Sequence, residues 1–460
     1  VTTGATSGVS VKRNWTQFAR VQYSCAMDIT LTPSLAQGKI IIPASKSQTI
    51  RALLIATLAN GKSIIRNPLD SQDTRSCMEA CGLLGAKITW DKGQNIIFLD
   101  SAHVERDSDM PVTVDCGNSG TTLYLAAGMA AALGRNVKFT GDVQLCGRPI
   151  GPLLSSLEDL GATVTYDSAR IGYPPFSIKG PLKGGKTSME CKTSQYLSGL
   201  LLACSIATGD SEIEIPLLHE KPYVGITLSW LDRQGIKYTG AKDLQHFIVP
   251  GGQKYKPFDE QITGDFSSAS FFFCAAAICG TSITVDGLDA DDPQGDKRIL
   301  DILERMGCSV SWDGQAATAT GPRQGGLKGG TFDLNAMPDA LPILAVTACF
   351  ADSEVRIVNV PQARIKETDR IAVMHENLAK LGAVITEQPD GMTIRGNGGL
   401  QGGVVDGFGD HRVIMSMAIA SLRCAGPVTI QGIEAAGVTF PTFFALLEDL
   451  GGSSSVKEPD

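Results

Sequence analysis

The sequence predicts an α/β protein of two domains, with helices buried inside and sheets on the outside. Three observations predict it. The chain has 460 residues, beyond the size at which a single core usually stops growing, so two or more domains are expected. An amphipathic helix that ends in glycine and leads into a short strand recurs along the chain. A second kind of helix, apolar nearly all round, alternates with it and needs burial on most faces.

The first phrase appears as Leu84-Gly85-Ala86, Leu160-Gly161-Ala162, Gln234-Gly235-Ile236, Met306-Gly307-Cys308, Leu381-Gly382-Ala383 and Leu450-Gly451-Gly452. These glycines fall roughly 70 to 76 residues apart, a true internal period. Glycine after a helix adopts the left-handed cap that other residues resist. The second phrase is a helix of mostly Ala, Leu, Ile, Ser and Phe, a Gly or Asp turn, and a strand. Its copies begin near Ser47, Gly120, Ser194, Ser268, Asp339 and His411, and the fourth contains the run Phe271 to Ile278. Each unit has room for two helices and several strands, too long for a solenoid repeat. Six units suggest two domains of three units each. The predicted boundary is near Thr263. A second crossing is expected near Ser45, because the strand Gly38 to Pro43 precedes the first complete unit. The domains are therefore 45–263, and 27–44 with 264–460.

Residues 1–26 stand apart. They are rich in Ser, Thr and Val, and the first acidic residue is Asp28. This stretch reads as a leader ahead of Met27, outside the fold; its acid-poor, Ser-rich composition also matches an organellar transit peptide.

Hydrophobic residues make up 43%, charged residues 19%, and the formal charge is −8. Such a balance argues against a nucleic-acid or membrane-surface role, where a broad basic face is expected. There is no run of about 20 apolar residues for a transmembrane helix. The 12 cysteines form no metal-type cluster. Cys77 and Cys81 fall in an amphipathic helix, and Cys204, Cys274, Cys279, Cys349 and Cys424 sit in apolar runs, where they read as small core residues. Many free thiols suggest a reducing compartment.

The chemistry gathers at the starts of the apolar helices. Ser45-Lys46-Ser47-Gln48-Thr49-Ile50-Arg51 precedes the first, Gly117-Asn118-Ser119-Gly120-Thr121-Thr122 the second and Lys192-Thr193-Ser194-Gln195-Tyr196 the third. Pro338-Asp339 precedes the fifth and Gly409-Asp410-His411-Arg412 the sixth. Taken singly, Ser, Thr and Asp at such positions are ordinary N-caps. Their recurrence at one structural position suggests more. A helix N-terminus has free N–H groups and partial positive charge, so it binds anions. Several such ends in one cleft, with Lys46, Arg51, Arg148, Lys366, Arg370 and Arg412, would hold a polyanionic substrate.

Several of these strings occur together, in order, in one enzyme family. They are Ser45-Lys46-Ser47 with Arg51, Gly117 to Thr121, Arg148-Pro149-Ile150, Ser194-Gln195-Tyr196-Leu197, Lys221-Pro222-Tyr223, Gly264-Asp265 with Ser267-Ser268-Ala269, Lys366-Glu367-Thr368-Asp369-Arg370, Asp410-His411-Arg412 and Thr439-Phe440-Pro441. On them the chain resembles the 5-enolpyruvylshikimate-3-phosphate synthases over about residues 27–452. The resemblance implies an inside-out α/β barrel of six β-α-β-α-β-β units in two domains that close around the substrates. It implies transfer of the enolpyruvyl group of phosphoenolpyruvate to the 5-hydroxyl of shikimate 3-phosphate, through a tetrahedral intermediate, without metal, organic cofactor or covalent enzyme intermediate.

The resemblance also implies roles. Lys46, Ser47, Arg51, Thr193, Ser194, Gln195, Tyr223, Asp339, Gln362 and Lys366 would hold shikimate 3-phosphate. Lys46, Asn118, Gly120, Arg148, Gln195, Arg370 and Arg412 would hold phosphoenolpyruvate. Lys46, Asp339 and Glu367 would be catalytic, with Asp339 as base toward the 5-hydroxyl and Glu367 exchanging a proton with the methylene carbon. The expected partners are the two substrates only, with no nucleic acid, no membrane and no second subunit. The expected location is the cytoplasm, or an organelle if the leader is an import signal.

Three positions depart from the family pattern. A lysine shortly before Thr-Phe-Pro, a donor ligand in the family, is absent from Gly437-Val438-Thr439. Glu220 replaces a serine phosphate ligand before Lys-Pro-Tyr, and is expected to point away or pair with Lys221. Tyr124 replaces an arginine. Two other readings are kept. One is UDP-N-acetylglucosamine enolpyruvyl transferase, which uses a loop cysteine near Arg-Pro; Cys146 precedes Arg148-Pro149, though at too short a spacing. The other is a non-catalytic ligand-binding relative.

Overall fold

The protein is described from a computed structural model, which covers residues 27–167, 169–240, 243–323, 326–396 and 398–457. The leader expected over 1–26 lies outside the described residues. Among the described residues the backbone forms six four-stranded sheets. The unit from Pro111 to Lys179 shows how each is built. Strand Pro111–Asp115 leads through helix Gly120–Ala132 to the parallel strand Asn136–Thr140. Helix Gly151–Asp159 and the antiparallel strands Thr163–Tyr166 and Phe176–Lys179 complete it. This is the β-α-β-α-β-β order that the family resemblance implies. The inner helix makes the crossover a parallel pair requires.

All six glycines of the repeated phrase have positive φ, from +70° at Gly235 to +109° at Gly85. The six apolar helices run Lys46–Leu58, Gly120–Ala132, Ser194–Cys204, Phe266–Cys279, Leu341–Cys349 and His411–Ser421. Every residue from Phe266 to Ile278 is buried, as the absence of a polar face requires. The fifth begins two residues later than its phrase, because Pro338–Ala340 forms a 3₁₀ turn that carries Asp339 ahead of the helix. Two inner helices approach backbone to backbone. A Cβ on Gly128 would lie 2.5 Å from the Gly199 carbonyl oxygen, and one on Gly199 would lie 2.5 Å from that of Tyr124. Only glycine permits such contact.

The buried apolar residues form two cores. One is drawn from Ala44 to Ile262, the other from Ile29 to Ile42 and Phe266 to Leu450. Strand Gly38–Ile41 pairs in parallel with Ser282–Asp286, whose Ile283 and Val285 are buried. Strand Asp259–Gln261 pairs in parallel with Lys62–Arg66 in the first half of the chain. The two segments meet where Ala44 bridges Gly264, and Ser45 N–H donates to Thr263 oxygen at 2.8 Å. The second half thus completes a sheet with a strand from the start of the chain, whereas Asp259–Gln261 completes a sheet of the half in which it lies. Burial of each Ile or Val contributes about 1.5–3 kcal/mol, so the crossing strand is well anchored. Cys77, Cys81, Cys204, Cys274, Cys349 and Cys424 are buried and Cys279 is half-buried, all as free thiols.

Candidate active site

The apolar helices are capped by the polar residues that mark their starts. Ser45 accepts from Gln48 N–H, Ser119 from Thr122 N–H, Thr193 from Gln195 N–H, Asp265 from Ser268 N–H and Asp410 from Arg412 N–H. The ordinary capping role therefore holds, and it leaves the adjoining side chains free to face a common space. One cavity gathers Lys46, Ser47, Asn118, Gly120, Arg148, Thr193, Ser194, Gln195, Tyr223, Asp339, Gln362, Lys366 and Glu367. These come from both halves of the chain, up to several hundred residues apart.

Three predicted residues do not line this cavity. Arg51 is 1% exposed and sits one turn into its helix. It donates to Thr227 Oγ1 at 2.8 Å, Ser47 oxygen at 3.0 Å, Tyr223 oxygen at 3.1 Å and Ser198 Oγ at 3.3 Å. Burial pulls its pKa down to about 10, against the fields of Tyr223 and Asp292. Its place is therefore structural in this state, bracing the wall behind Tyr223, rather than in contact with the space. Arg370 and Arg412 lie one layer back. Arg370 donates to Asp339 Oδ1 at 2.8 Å, Glu367 Oε2 at 2.6 Å and Asp410 Oδ2 at 2.8 Å. Arg412 lies 2.9 Å from Asp339 Oδ2 and donates to Ser267 Oγ at 3.0 Å.

Each cation of the site is matched by a carboxylate. Lys46 pairs with Asp73 at 2.9 Å, and Thr439 Oγ1 donates to the same carboxylate at 3.0 Å. Arg148 donates to Asn118 Oδ1 at 2.5 Å and lies 3.6 Å from Glu367 Oε1. Lys366 pairs with Glu220. Asp73, Asp410 and Glu220 are thus parts of the site that motif reasoning did not assign. Asp410 stood inside a recognised string; Asp73 carried no signal beyond a helix start. Asp296, fully buried, accepts from Tyr223 OH at 2.5 Å and Ser267 Oγ at 2.8 Å, and was likewise missed.

The electrostatics separate Asp339 and Glu367 from an ordinary buried acid. For Asp339, burial opposes the charge, but Arg412, Lys366 and Arg370 outweigh it and hold the carboxyl well below the usual range. For Glu367, burial is again outweighed, here by Arg370, Arg148, His411 and Lys46. Asp296 behaves oppositely. Burial, with repulsion from Asp339, pushes it up to about 6. His411 is driven down to about 4, chiefly by burial. Two ionised carboxylates, clamped by one shared arginine beside a lysine, can accept a proton from a hydroxyl and exchange one with carbon.

Glu220 corrects the expectation that it points away or pairs with Lys221. Lys221 is exposed, whereas Glu220 is 2% exposed and faces the cavity. Its carboxylate pairs with Lys366 and accepts from Thr193 and Ser194. Tyr124 lines the cavity, donates to Pro149 oxygen at 3.2 Å and packs edge-on against Tyr196. Arg423 does not replace the absent lysine, since it lines a separate depression with Cys279 and Pro322. Cys146 donates to Gly141 oxygen and does not line the cavity.

A two-domain α/β fold with inner-helix starts converging on one cavity, lined by Lys46, Arg148 and Lys366 each paired with a carboxylate, defines an enzyme acting on small polar molecules. The family model for EPSP synthase (3-phosphoshikimate 1-carboxyvinyltransferase) matches residues 32–447. The 3-phosphoshikimate 1-carboxyvinyltransferase of Acetivibrio thermocellus is 46% identical over 433 residues, covering 94% of this chain and 100% of that protein. That of Ruminiclostridium cellulolyticum is 44% identical, covering 93% and 99%. An EPSP synthase structure from Acinetobacter baumannii superposes with a TM-score of 0.77 at 27% identity, covering 94% of this chain and 100% of that one. The chain belongs to the EPSP synthase family.

Proposed function

We propose that the chain transfers the enolpyruvyl group of phosphoenolpyruvate to the 5-hydroxyl of shikimate 3-phosphate, releasing phosphate. Family membership supports the reaction. The observation that carries the chemistry is the pair Asp339 and Glu367, at one cavity and bound to the same guanidinium of Arg370.

In this reading the 5-hydroxyl oxygen adds to C2 of the donor while Asp339 takes its proton. The methylene carbon gains a proton from Glu367, giving a tetrahedral adduct. The methyl group then returns a proton to Glu367 as the C–O bond to phosphate breaks. Glu367 is ionised in the free site, so it must be protonated before addition. Two polyanionic substrates would draw on Lys46, Arg148 and Arg370, and so relax the field that holds Glu367 charged. The same cations stabilise the adduct, in which negative charge is concentrated. Asn118, Gly120, Arg148, Arg370, Arg412 and Gln195 serve the donor. Ser47, Thr193, Ser194, Gln195, Tyr223, Gln362 and Lys366 serve the acceptor, with Arg51 behind them. Among the described residues no helix is long and apolar enough to cross a membrane. A cytoplasmic location and a monomeric state are a separate part of the proposal.

The test is phosphate release from phosphoenolpyruvate with shikimate 3-phosphate, and with UDP-N-acetylglucosamine in parallel. Release with the first alone is expected. Release only with the nucleotide sugar, or with neither, would overturn the reading. Placement of Cys146 away from the cavity disfavours the nucleotide sugar, and a mere binder has no use for two carboxylates at the reacting end.

A further inference from the structure

Glu220 is the N-cap of helix Lys221–Gln234, yet its side chain makes no cap bond to that helix. It reaches instead to the start of another, Ser194–Cys204. Glu220 Oε2 accepts from Ser194 N–H at 3.1 Å, Ser194 Oγ at 2.8 Å and Thr193 Oγ1 at 3.1 Å, while Oε1 takes the ammonium of Lys366. A helix N-terminus, two hydroxyls and a cation form an anion-binding set. In this chain the anion is the protein's own. The backbone carries strain to place it there, since Glu220 has φ +57°, a left-handed conformation uncommon for a residue with a side chain. All four residues line the cavity, together with Gln362, whose Oε1 is buried without a hydrogen-bond partner among the described residues. The set also spans the molecule, with Thr193 and Ser194 in one half and Lys366 in the other.

We propose that Glu220 is a specificity-determining residue whose carboxylate competes with the phosphate of the acceptor for the donors of Thr193, Ser194 and Lys366. This rests on the reaction proposed above. A phosphorylated acceptor gains those donors only by displacing Glu220, because two anions within hydrogen-bonding reach of the same ammonium repel. An acceptor lacking the phosphate leaves the internal ion pair intact. The discrimination between phosphorylated and unphosphorylated acceptor is therefore blunted by Glu220, and removing its charge restores it.

The experiment measures kcat/KM for shikimate 3-phosphate and for shikimate in the parent enzyme, Glu220→Ser and Glu220→Gln. The expected result is a rise of at least tenfold in the ratio of the two in Glu220→Ser, through a lower KM for shikimate 3-phosphate. A smaller rise is expected in Glu220→Gln, which keeps the volume and loses the charge. The KM for phosphoenolpyruvate should move less than threefold. If Glu220→Ser does not fold, the near-isosteric Gln variant carries the same test. Parent turnover with an unchanged or lower ratio in the folded variants overturns this inference alone. No phosphate release by the parent with any acceptor overturns the reaction, and this inference with it.

Discussion

Arg370 Nη1 lies 2.8 Å from Asp339 Oδ1, with the guanidinium 1% exposed. The same group binds Glu367 and Asp410, so one buried cation bridges three carboxylates from three separate segments. Among the described residues, removing it leaves Asp410 without an ion-pair partner and Asp339 and Glu367 with only Arg412 and Arg148. Arg370→Met should lower stability by about 3–5 kcal/mol, the usual cost of breaking a buried pair. Arg370→Lys should recover part of this, as a point charge cannot reproduce the fork. Urea denaturation of both variants checks it. A loss below about 1 kcal/mol in the Met variant would mean that the carboxylates neutralise one another by protonation instead.

Glu367 contacts the cavity and is held ionised by Arg370 and Arg148, among others. Glu367→Gln keeps the shape and an acceptor for Arg370 but cannot exchange a proton. We expect kcat to fall roughly 10²–10⁴-fold, the range for one general acid–base group. KM for both substrates should change far less, because proton transfer acts in the transition state. Steady-state kinetics decide it, and an unchanged kcat removes Glu367 from the mechanism.

His411 is buried, and its folded-state pKa is about 4 against an ordinary 6.5. Between these values the unfolded chain binds a proton that the folded chain refuses. Stability therefore falls as pH drops from 6.5 to 4, by up to about 3 kcal/mol from this residue. Asp296, raised to about 6, acts in the opposite sense over an overlapping range, favouring the folded state as pH falls. The measurement is thus a difference: His411→Gln should lose stability less steeply than the parent between pH 6.5 and 4. Parallel curves would show that His411 does not titrate alone.

The segment Gly437-Val438 brings no cation to the donor end of the cavity. A side chain at Gly437 would meet open space, and Thr439 next to it is tied to the Asp73–Lys46 pair. The parent is expected to bind phosphoenolpyruvate weakly, and glyphosate too, which occupies the donor site in this family. Gly437→Lys or Val438→Lys should tighten both by roughly tenfold or more, the worth of one charge-assisted hydrogen bond. Initial-rate measurements give both constants. If neither variant tightens either ligand, another group already fills the role.

Much of the molecule was legible because its signals are local. The glycines at 85, 161, 235, 307, 382 and 451 mark helix ends through a conformation only they adopt cheaply, and all six have positive φ. The apolar helices expected to begin near Ser268 and Gly120 needed burial whatever surrounded them, and the structure buries them. Ser45, Ser119, Thr193, Asp265 and Asp410 mark helix starts within three residues of the N–H groups they cap. Thirteen of the predicted site residues line one cavity, eight of them from the inner-helix starts and five, Arg148, Tyr223, Gln362, Lys366 and Glu367, from other segments.

The pairing of charges was decided by tertiary structure alone. Lys366 finds Glu220 across 146 residues of sequence, Arg370 finds Asp410 across 40, and Thr439 finds Asp73 across 366. Nothing local to Glu220 announces this. Its neighbour Lys221 was the nearest cation in sequence, but the first turn of its helix leaves Lys221 in solvent. A buried carboxylate is stable only where donors and a cation converge on it, and that convergence exists only once both halves have folded against each other. The sequence by itself determined which residues begin the inner helices, since capping and burial act over a few residues. The tertiary fold decided which charges remain available to a substrate, since ion pairing acts through space.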